Sequence, residues 1–296
     1  MKIWYENFYP GFDPKEHDFF SEILGTITDV EITPNDPDLV VYQVFGDPNR
    51  VLEKYKCKKA LFLTENIITH TNPWKKIELK DYPCDFSVTF YPESDTNIQS
   101  QFWLTMLNYR DPNSFYYYKN TENKREFSHK TEFCNFIYSN PATGFSPRYD
   151  FFKFLSKKRF IHSAGRFAKN IEGGIETNVH SWHDSKVNYL RKFAFTISFE
   201  NSYHEHYTTE KILDPLLSSS VPVYWGGQES VKDFNSNTFI NAYDRSFEEV
   251  ENEMINLLEN TEKLIEMCTL PIFEKFPEKY LPETIATKIM DQLERK

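Results

Sequence analysis

Residues 192–227 read KFAFTISFENSYHEHYTTEKILDPLLSSSVPVYWGG, and this stretch decides the fold. An apolar strand, Phe193–Phe199, gives way to a polar turn. An acid–base pair, Glu210-Lys211, opens a helix that reaches Leu217, and a second strand, Val221–Trp225, runs into Gly226 and Gly227. Strand, helix and strand in that order form the skeleton of a parallel βαβ unit, whose helix N-terminus is a natural anion site. Tyr207-Thr208-Thr209-Glu210-Lys211 sets hydroxyls, a carboxylate and a cation on that turn. Such a turn suits a phosphorylated, hydroxyl-rich ligand such as a nucleotide sugar. Gly226 and Gly227 permit either a tight turn or close approach of backbone to a neighbour. Pro215 falls inside the helix and predicts a kink or a short first segment.

Outward from this unit the chain alternates strands and helices. Lys2–Tyr5, Leu39–Phe45 and Ala60–Leu63 read as strands, and Pro14–Leu24 as an amphipathic helix stopped by Gly25. The stretch KNTENKREFSHK, residues 119–130, is polar and densely charged and reads as a linker. A second set follows: strand Phe133–Ser139, helix Arg148–Leu155, strand Arg159–His162, then the βαβ unit itself. Alternation of this kind predicts parallel sheets flanked by helices. Ser246 and Glu249 fit a capping box, with Val250, Met254, Leu257, Leu258 and Ile265 following at helical spacing. Pro282–Leu293 predicts a last amphipathic helix, with Ile285, Ile289 and Leu293 on one stripe.

Composition narrows the function. The 296 residues carry a formal charge of -10, which argues against nucleic acid as a partner, because phosphate backbones need a basic face. No apolar run reaches the ~20 residues of a membrane span, and Met1-Lys2-Ile3-Trp4 leads into no secretory signal. Cys57, Cys84, Cys134 and Cys268 are scattered, which fits reduced thiols in the cytoplasm better than a disulfide frame or zinc site. Aromatic residues make up 17%; most belong in the core, and a minority could stack on sugar rings. No G-x-G-x-x-G fingerprint supports a nicotinamide or flavin.

Phe199-Glu200-Asn201-Ser202, the YTTEKI turn and VPVYWGG together resemble the donor-binding motif of the α-1,3/4-fucosyltransferases. The resemblance is to the soluble microbial type; animal members carry a membrane anchor and work in the Golgi. It implies an α/β fold of GT-B type: two Rossmann-like domains facing across a cleft, with C-terminal helices. Residues 1–130 would then be an acceptor-binding domain that supplies the catalytic base. Residues 131–296 would be the GDP-fucose-binding domain, the last helix being free to pack back on the first. The activity implied is inverting transfer of L-fucose from GDP-β-L-fucose to a β-galactoside of N-acetyllactosamine type, with an α-1,3 linkage favoured. The alternatives are transfer of another GDP-sugar on the same fold and a non-catalytic glycan- or nucleotide-binding module.

The departing diphosphate carries negative charge that something must neutralise. Asp36-Pro37-Asp38 matches an Asp-x-Asp metal motif, but a proline between the acids at a strand entrance favours a turn. His204 with His206, and His180 with His183 around Trp182, lack a third ligand at metal spacing and read as loop histidines. No protein-held metal or required cofactor is expected, although manganese or magnesium could stimulate. The resemblance gives the diphosphate to Arg148 and Lys211. Arg148 opens a helix, and its planar fork can hold two phosphate oxygens. It gives donor hydroxyls to Glu210, whose carboxylate accepts two hydrogen bonds, and further donor contacts to Asn201 and Tyr207. Glu200 ranks lower, as a structural carboxylate, and Arg166 of His162–Arg166 is a weaker phosphate candidate. The base matches Glu65, directly after the ALFL strand, where partial burial would strengthen it. Trp74, Tyr91, Phe102 and Trp103 could stack on an acceptor sugar, but core or loop packing is the more ordinary role of each.

Overall fold

The computed structural model describes residues 1–15, 18–63, 65–66, 81–114, 116–141, 146–175 and 182–295. Their contacts divide the chain into two units, Met1–Pro112 with Phe276–Lys296, and Asn113–Lys275. Each unit holds one parallel sheet, as the alternation of elements predicts.

The first unit orders its six strands β2-β1-β3-β4-β5-β6. They are β1 (Lys2–Glu6), β2 (Glu31–Ile32), β3 (Leu39–Tyr42), β4 (Lys58–Leu63), β5 (Phe86–Thr89) and β6 (Asn97–Gln99). Ile3 faces Leu39, and Val41 faces Ala60, in parallel register. Leu39, Val40, Val41 and Tyr42 are wholly buried, as a parallel strand covered on both faces requires. Helix α1 spans Phe19–Leu24, shorter than the helix expected from Pro14. Asp18 explains the late start: its carboxylate accepts from the backbone N–H groups of Phe20 and Ser21 and so caps the helix there. Helix α2 (Pro48–Lys54) escaped the sequence reading, although Asp47 as cap and Pro48 in the first turn are ordinary start signals. The strand expected to Phe45 ends at Tyr42, because residues 43–46 turn back on the loop after β1.

The second unit orders its strands β11-β10-β9-β7-β8. These are β7 (Glu132–Phe136), β8 (His162–Ser163), β9 (Phe193–Phe199), β10 (Val221–Trp225) and β11 (Ile240–Asn241). Helices α3 (Arg148–Ser156), α4 (Trp182–Leu190), α5 (Glu210–Leu217), α6 (Phe247–Glu259) and α7 (Thr261–Thr269) belong to this unit. Val221 faces Phe195, and Cys134 faces the same residue from the other side. β9 is therefore the central strand, and all seven of its residues are buried. Ser246 and Glu249 form the expected capping box of α6. The helix does not run on to Ile265: Asn260 ends α6 and caps α7, its Oδ1 accepting from Lys263 N at 3.1 Å.

Residues 119–130 are not a linker. Tyr118–Glu122 form a 3-10 turn, and Arg125 is driven into the second unit. Its guanidinium donates to the carbonyls of Leu270 at 2.7 Å, Leu216 at 2.5 Å and Met267 at 2.8 Å. Those carbonyls end helices, where a cation is favoured. The division thus falls before the charged stretch. The last helix, α8 (Pro282–Glu294), belongs to the first unit, where Lys288 pairs with Glu93 at 3.0 Å and Gln292 bonds Asp95 O at 2.9 Å. Among the described residues, no helix is long and apolar enough to cross a membrane.

Candidate functional site

The carboxyl ends of β7 and β9 and the N-terminus of α5 converge on one cluster of charge in the second unit. Thr209 is the N-cap of α5, its hydroxyl accepting from Lys211 N at 3.4 Å. Pro215 lies inside the helix, which nevertheless continues to Leu217 before Ser219 turns left-handed at φ 56°.

Glu200 lies at the centre of the cluster, wholly buried one residue beyond β9. Its carboxylate accepts from Thr209 N at 2.8 Å and from Thr209 Oγ1 at 2.8 and 3.0 Å. Lys211 Nζ stands 3.3 Å from Glu200, 3.6 Å from Glu210, and donates to Thr209 Oγ1 at 2.9 Å. Sequence reasoning ranked Glu200 as a structural carboxylate, and the structure makes it the buried counter-ion of the site's lysine. Burial pushes the Glu200 carboxyl above the usual range, and the Lys211 ammonium opposes that rise. The second strand's glycine answers to the same group. A Cβ on Gly226 would lie 2.3 Å from Tyr224 Oη and 2.7 Å from Glu200 Cγ, so close approach rather than a tight turn demands glycine there.

Arg148 begins α3, as expected, yet it is no exposed helix-end cation. Only 3% of it is accessible. The guanidinium lies over the Tyr138 ring at 4.4 Å and donates to Asn140 O at 2.6 Å. Tyr138 is itself fixed, donating to the carbonyls of Ile197 and Phe199 at 2.9 and 3.0 Å. Burial lowers the arginine's pKa, with Tyr138, Glu200 and Tyr207 countering. Its Nε has no hydrogen-bond acceptor among the described residues. A buried cationic donor without an acceptor is costly to keep, and an anionic oxygen would satisfy it.

Glu210 is partly covered, and a second cationic group flanks it. On α4, Lys186 Nζ reaches Asp214 Oδ2 at 2.7 Å, and Asp214 lies one helical turn beyond Glu210 on α5. Tyr116 donates to the other Asp214 oxygen at 3.1 Å, and His183 meets the Tyr116 ring edge-on at 6.2 Å. Burial alone would raise the Glu210 pKa, but Lys211 and Lys186 hold it well below the usual carboxylate range. A depressed pKa contributes stability that is complete above the unfolded value and is lost as pH falls toward the folded one. The difference in unfolding free energy between wild type and Glu210→Gln should therefore stay constant from pH 7 to about 5 and shrink below about pH 4. Urea titrations across that range measure it.

The structure brings Arg148, Tyr207, Glu210 and Lys211 into this one neighbourhood. Tyr207 is 1% accessible. Asn201 is half-buried and accepts from Ser202 Oγ at 3.1 Å. Arg166 is exposed. Sequence reading missed Lys186, Asp214, Tyr116 and Tyr138. Asp214 was findable, because a carboxylate in the otherwise apolar ILDPLL run, one turn from Glu210, needs a partner. His183 was read as a loop histidine, but it lies in the first turn of α4; His180 lies outside the described residues.

Glu65 belongs to the first unit. It follows β4 after Leu63, at the strand's carboxyl end as expected, but it is exposed rather than partly buried. Thr64 and Trp74 lie outside the described residues. Trp103 is wholly buried against Phe276 and Tyr280, which removes it as a sugar-stacking candidate. Among the described residues no group of three or more His, Cys, Asp or Glu could hold a metal. A groove of about 940 Å³ lies elsewhere in the second unit, along Gln228, Phe234, Asn241, Tyr243 and Arg245. Arg245 is already paired there with Glu253 at 2.7 Å, and none of the cluster residues lines the groove.

A family model described as glycosyltransferase family 10 (fucosyltransferase) C-term matches residues 127–267. A second, described as alpha-(1,3)-fucosyltransferase FucT N-terminal domain, matches residues 3–102. The alpha-(1,3)-fucosyltransferase FucT of Helicobacter pylori is 31% identical over 121 residues, which is 40% of this chain and 23% of that protein. The match therefore spans about a quarter of that relative's length. A crystal structure of an alpha1,3-fucosyltransferase aligns with a TM-score of 0.74 at 20% identity, covering 99% of this chain and 90% of that one. A structure described as that enzyme with GDP-fucose aligns at 0.70, with the same identity and coverage. The fold is thus the GT-B type expected from the sequence. Matched in both its halves, the chain belongs to glycosyltransferase family 10, the fucosyltransferase family.

Proposed function

We propose that the protein transfers L-fucose from GDP-β-L-fucose to a hydroxyl of a β-galactoside of N-acetyllactosamine type, with inversion and with an α-1,3 linkage favoured. The observation that supports this reading best is a buried arginine, Arg148, whose Nε has no acceptor among the described residues, together with Lys211 at the N-terminus of α5. Arg148 and Lys211 hold the diphosphate, and Glu210, kept ionised by Lys186 and Lys211, accepts from donor hydroxyls. Asn201 and Tyr207 complete the donor contacts. Glu65 takes the proton from the acceptor hydroxyl as its oxygen attacks the anomeric carbon. The bond to the β-phosphate oxygen breaks, and GDP leaves with the electron pair. Bond formation opposite the leaving group converts the β-linked donor into an α-linked product.

Charge neutralisation by side chains makes a metal unnecessary, with manganese or magnesium at most stimulating. In this reading residues 1–112 and α8 carry the acceptor, and residues 113–275 carry the donor. The four cysteines, all unpaired and two of them buried, support a cytoplasmic setting. Likeness to the protein solved with GDP-fucose supports the choice of donor.

Incubation with a panel of GDP-sugars and β-galactoside acceptors, with product mass and linkage recorded, tests the proposal. Fucosylated product from GDP-fucose is expected, and chelator should leave it intact. Turnover with GDP-mannose and none with GDP-fucose would retire the fucose assignment.

A further inference from the structure

Two large aromatic side chains stand in solvent at the carboxyl edge of the first sheet. Tyr9 is 52% accessible and Phe45 57%, and their rings meet edge-to-face at 6.5 Å. Isolated exposed aromatics need no explanation, but this pair is built. Tyr9 follows β1 and Phe45 follows β3. Glu65 follows β4, the next strand in the sheet. All three strands are parallel, so the pair and the proposed base emerge from the same edge, where α/β sheets bind ligands.

The loops that present the pair are laced together. Gln43 N donates to Glu6 O and Phe45 N to Asn7 O, each at 3.2 Å. Asn7 Nδ2 reaches Asp47 O, also at 3.2 Å. Asn7 holds a left-handed φ of 56°. A Cβ on Gly46 would meet the Asn7 side chain, which would have to move to admit any larger residue there. Beneath, Tyr9 packs on Phe12 at 5.6 Å, Phe12 stacks on Phe8 at 4.1 Å, and Phe8 approaches Phe62 of β4 at 6.4 Å. Rigid backbone and a column of rings hold two hydrophobic faces out of the core, which forgoes the burial that normally favours folding.

We infer that Tyr9 and Phe45 are a stacking platform for a pyranose ring of the acceptor glycan, beside the hydroxyl that Glu65 deprotonates. The inference rests on the fucosyl-transfer reading and adds to it the acceptor-recognising residues. A pyranose such as galactose presents several C–H bonds on one face, and these pack against the electron-rich face of an aromatic ring. Its ring hydroxyls stay in water, and the aromatic pair supplies area without costly side-chain ordering, since each ring turns on two torsions.

Saturation-transfer NMR with N-acetyllactosamine, which needs neither donor nor turnover, provides the test on wild type and Tyr9→Ala/Phe45→Ala. The double variant should lose the sugar's ring-proton signals at an unchanged melting temperature. Its KM for N-acetyllactosamine should rise about tenfold or more, with the KM for GDP-fucose unaltered. Tyr9→Phe/Phe45→Tyr should bind as wild type does. Undiminished signals in the alanine variant would overturn the inference. So would a wild-type dimer that the variant splits while sugar binding persists, which would make the pair an interface between copies. Sugar binding that depends on the pair, in a wild type that fails to use GDP-fucose, would sustain the platform and refute the donor reading instead.

Discussion

Glu65→Gln is expected to lower fucosyl transfer by about 10²–10⁴-fold while leaving GDP affinity unchanged. Glutamine keeps the size and a hydrogen-bonding oxygen of the side chain but cannot take the acceptor's proton. Glu65 belongs to the first unit, whereas every cation assigned to the diphosphate belongs to the second. Rate and nucleotide affinity should therefore separate. Single-turnover kinetics beside GDP calorimetry measure both quantities. Because Glu65 is exposed and glutamine matches its size, the replacement should change the melting temperature little. A loss of GDP affinity that matched the loss of rate would give Glu65 a different task.

Lys211→Ala should show two effects of different origin. Removal of a charge-assisted contact to the diphosphate should weaken GDP binding by about 1.5–3 kcal/mol. The same change strips Glu200 of its partner while that carboxylate remains wholly buried, and an uncompensated buried charge costs about 3–5 kcal/mol of stability. The two can be told apart. Lys211→Ala combined with Glu200→Gln neutralises the orphaned carboxylate and keeps an acceptor for Thr209, so much of the stability should return. GDP affinity should not return with it. Recovery of both would mean that Lys211 acts on the nucleotide only by holding Glu200 in place.

Local charge also explains why the cluster needs its geometry. Glu200 and Glu210 balance Arg148 and Lys211, so the site is not a plain basic patch. Glu200 already takes the Thr209 N–H that a helix N-terminus would otherwise offer to an anion. Attraction for a diphosphate then depends on where the two cations stand, with Arg148 locked over Tyr138 and Lys211 held by three oxygens.

The βαβ core was legible from residues 192–227 because its signals are local: a wholly apolar strand, Thr209 as cap, and glycines closing the second strand. The positions of Arg148 and Lys211 were legible for the same reason, each standing at a helix start marked in the sequence. What escaped notice was the set of partners drawn from far along the chain. Tyr116 and Lys186 meet Asp214 only after folding, at separations of 98 and 28 residues. Arg125 reads as one more charge in a polar run, and nothing nearby reveals the helix-end carbonyls that bury it. Glu200 was legible as a structural carboxylate, but which lysine it would pair with was not. The burial of Glu200 follows from Gly226, a residue of a different strand's end.

A crystal structure of the protein with GDP shows directly where the nucleotide sits. The diphosphate oxygens should lie within about 2.7–3.2 Å of the Arg148 guanidinium and Lys211 Nζ. GDP seated instead in the groove along Asn241, Tyr243 and Arg245, with its phosphates turned from the start of α5, would contradict that placement.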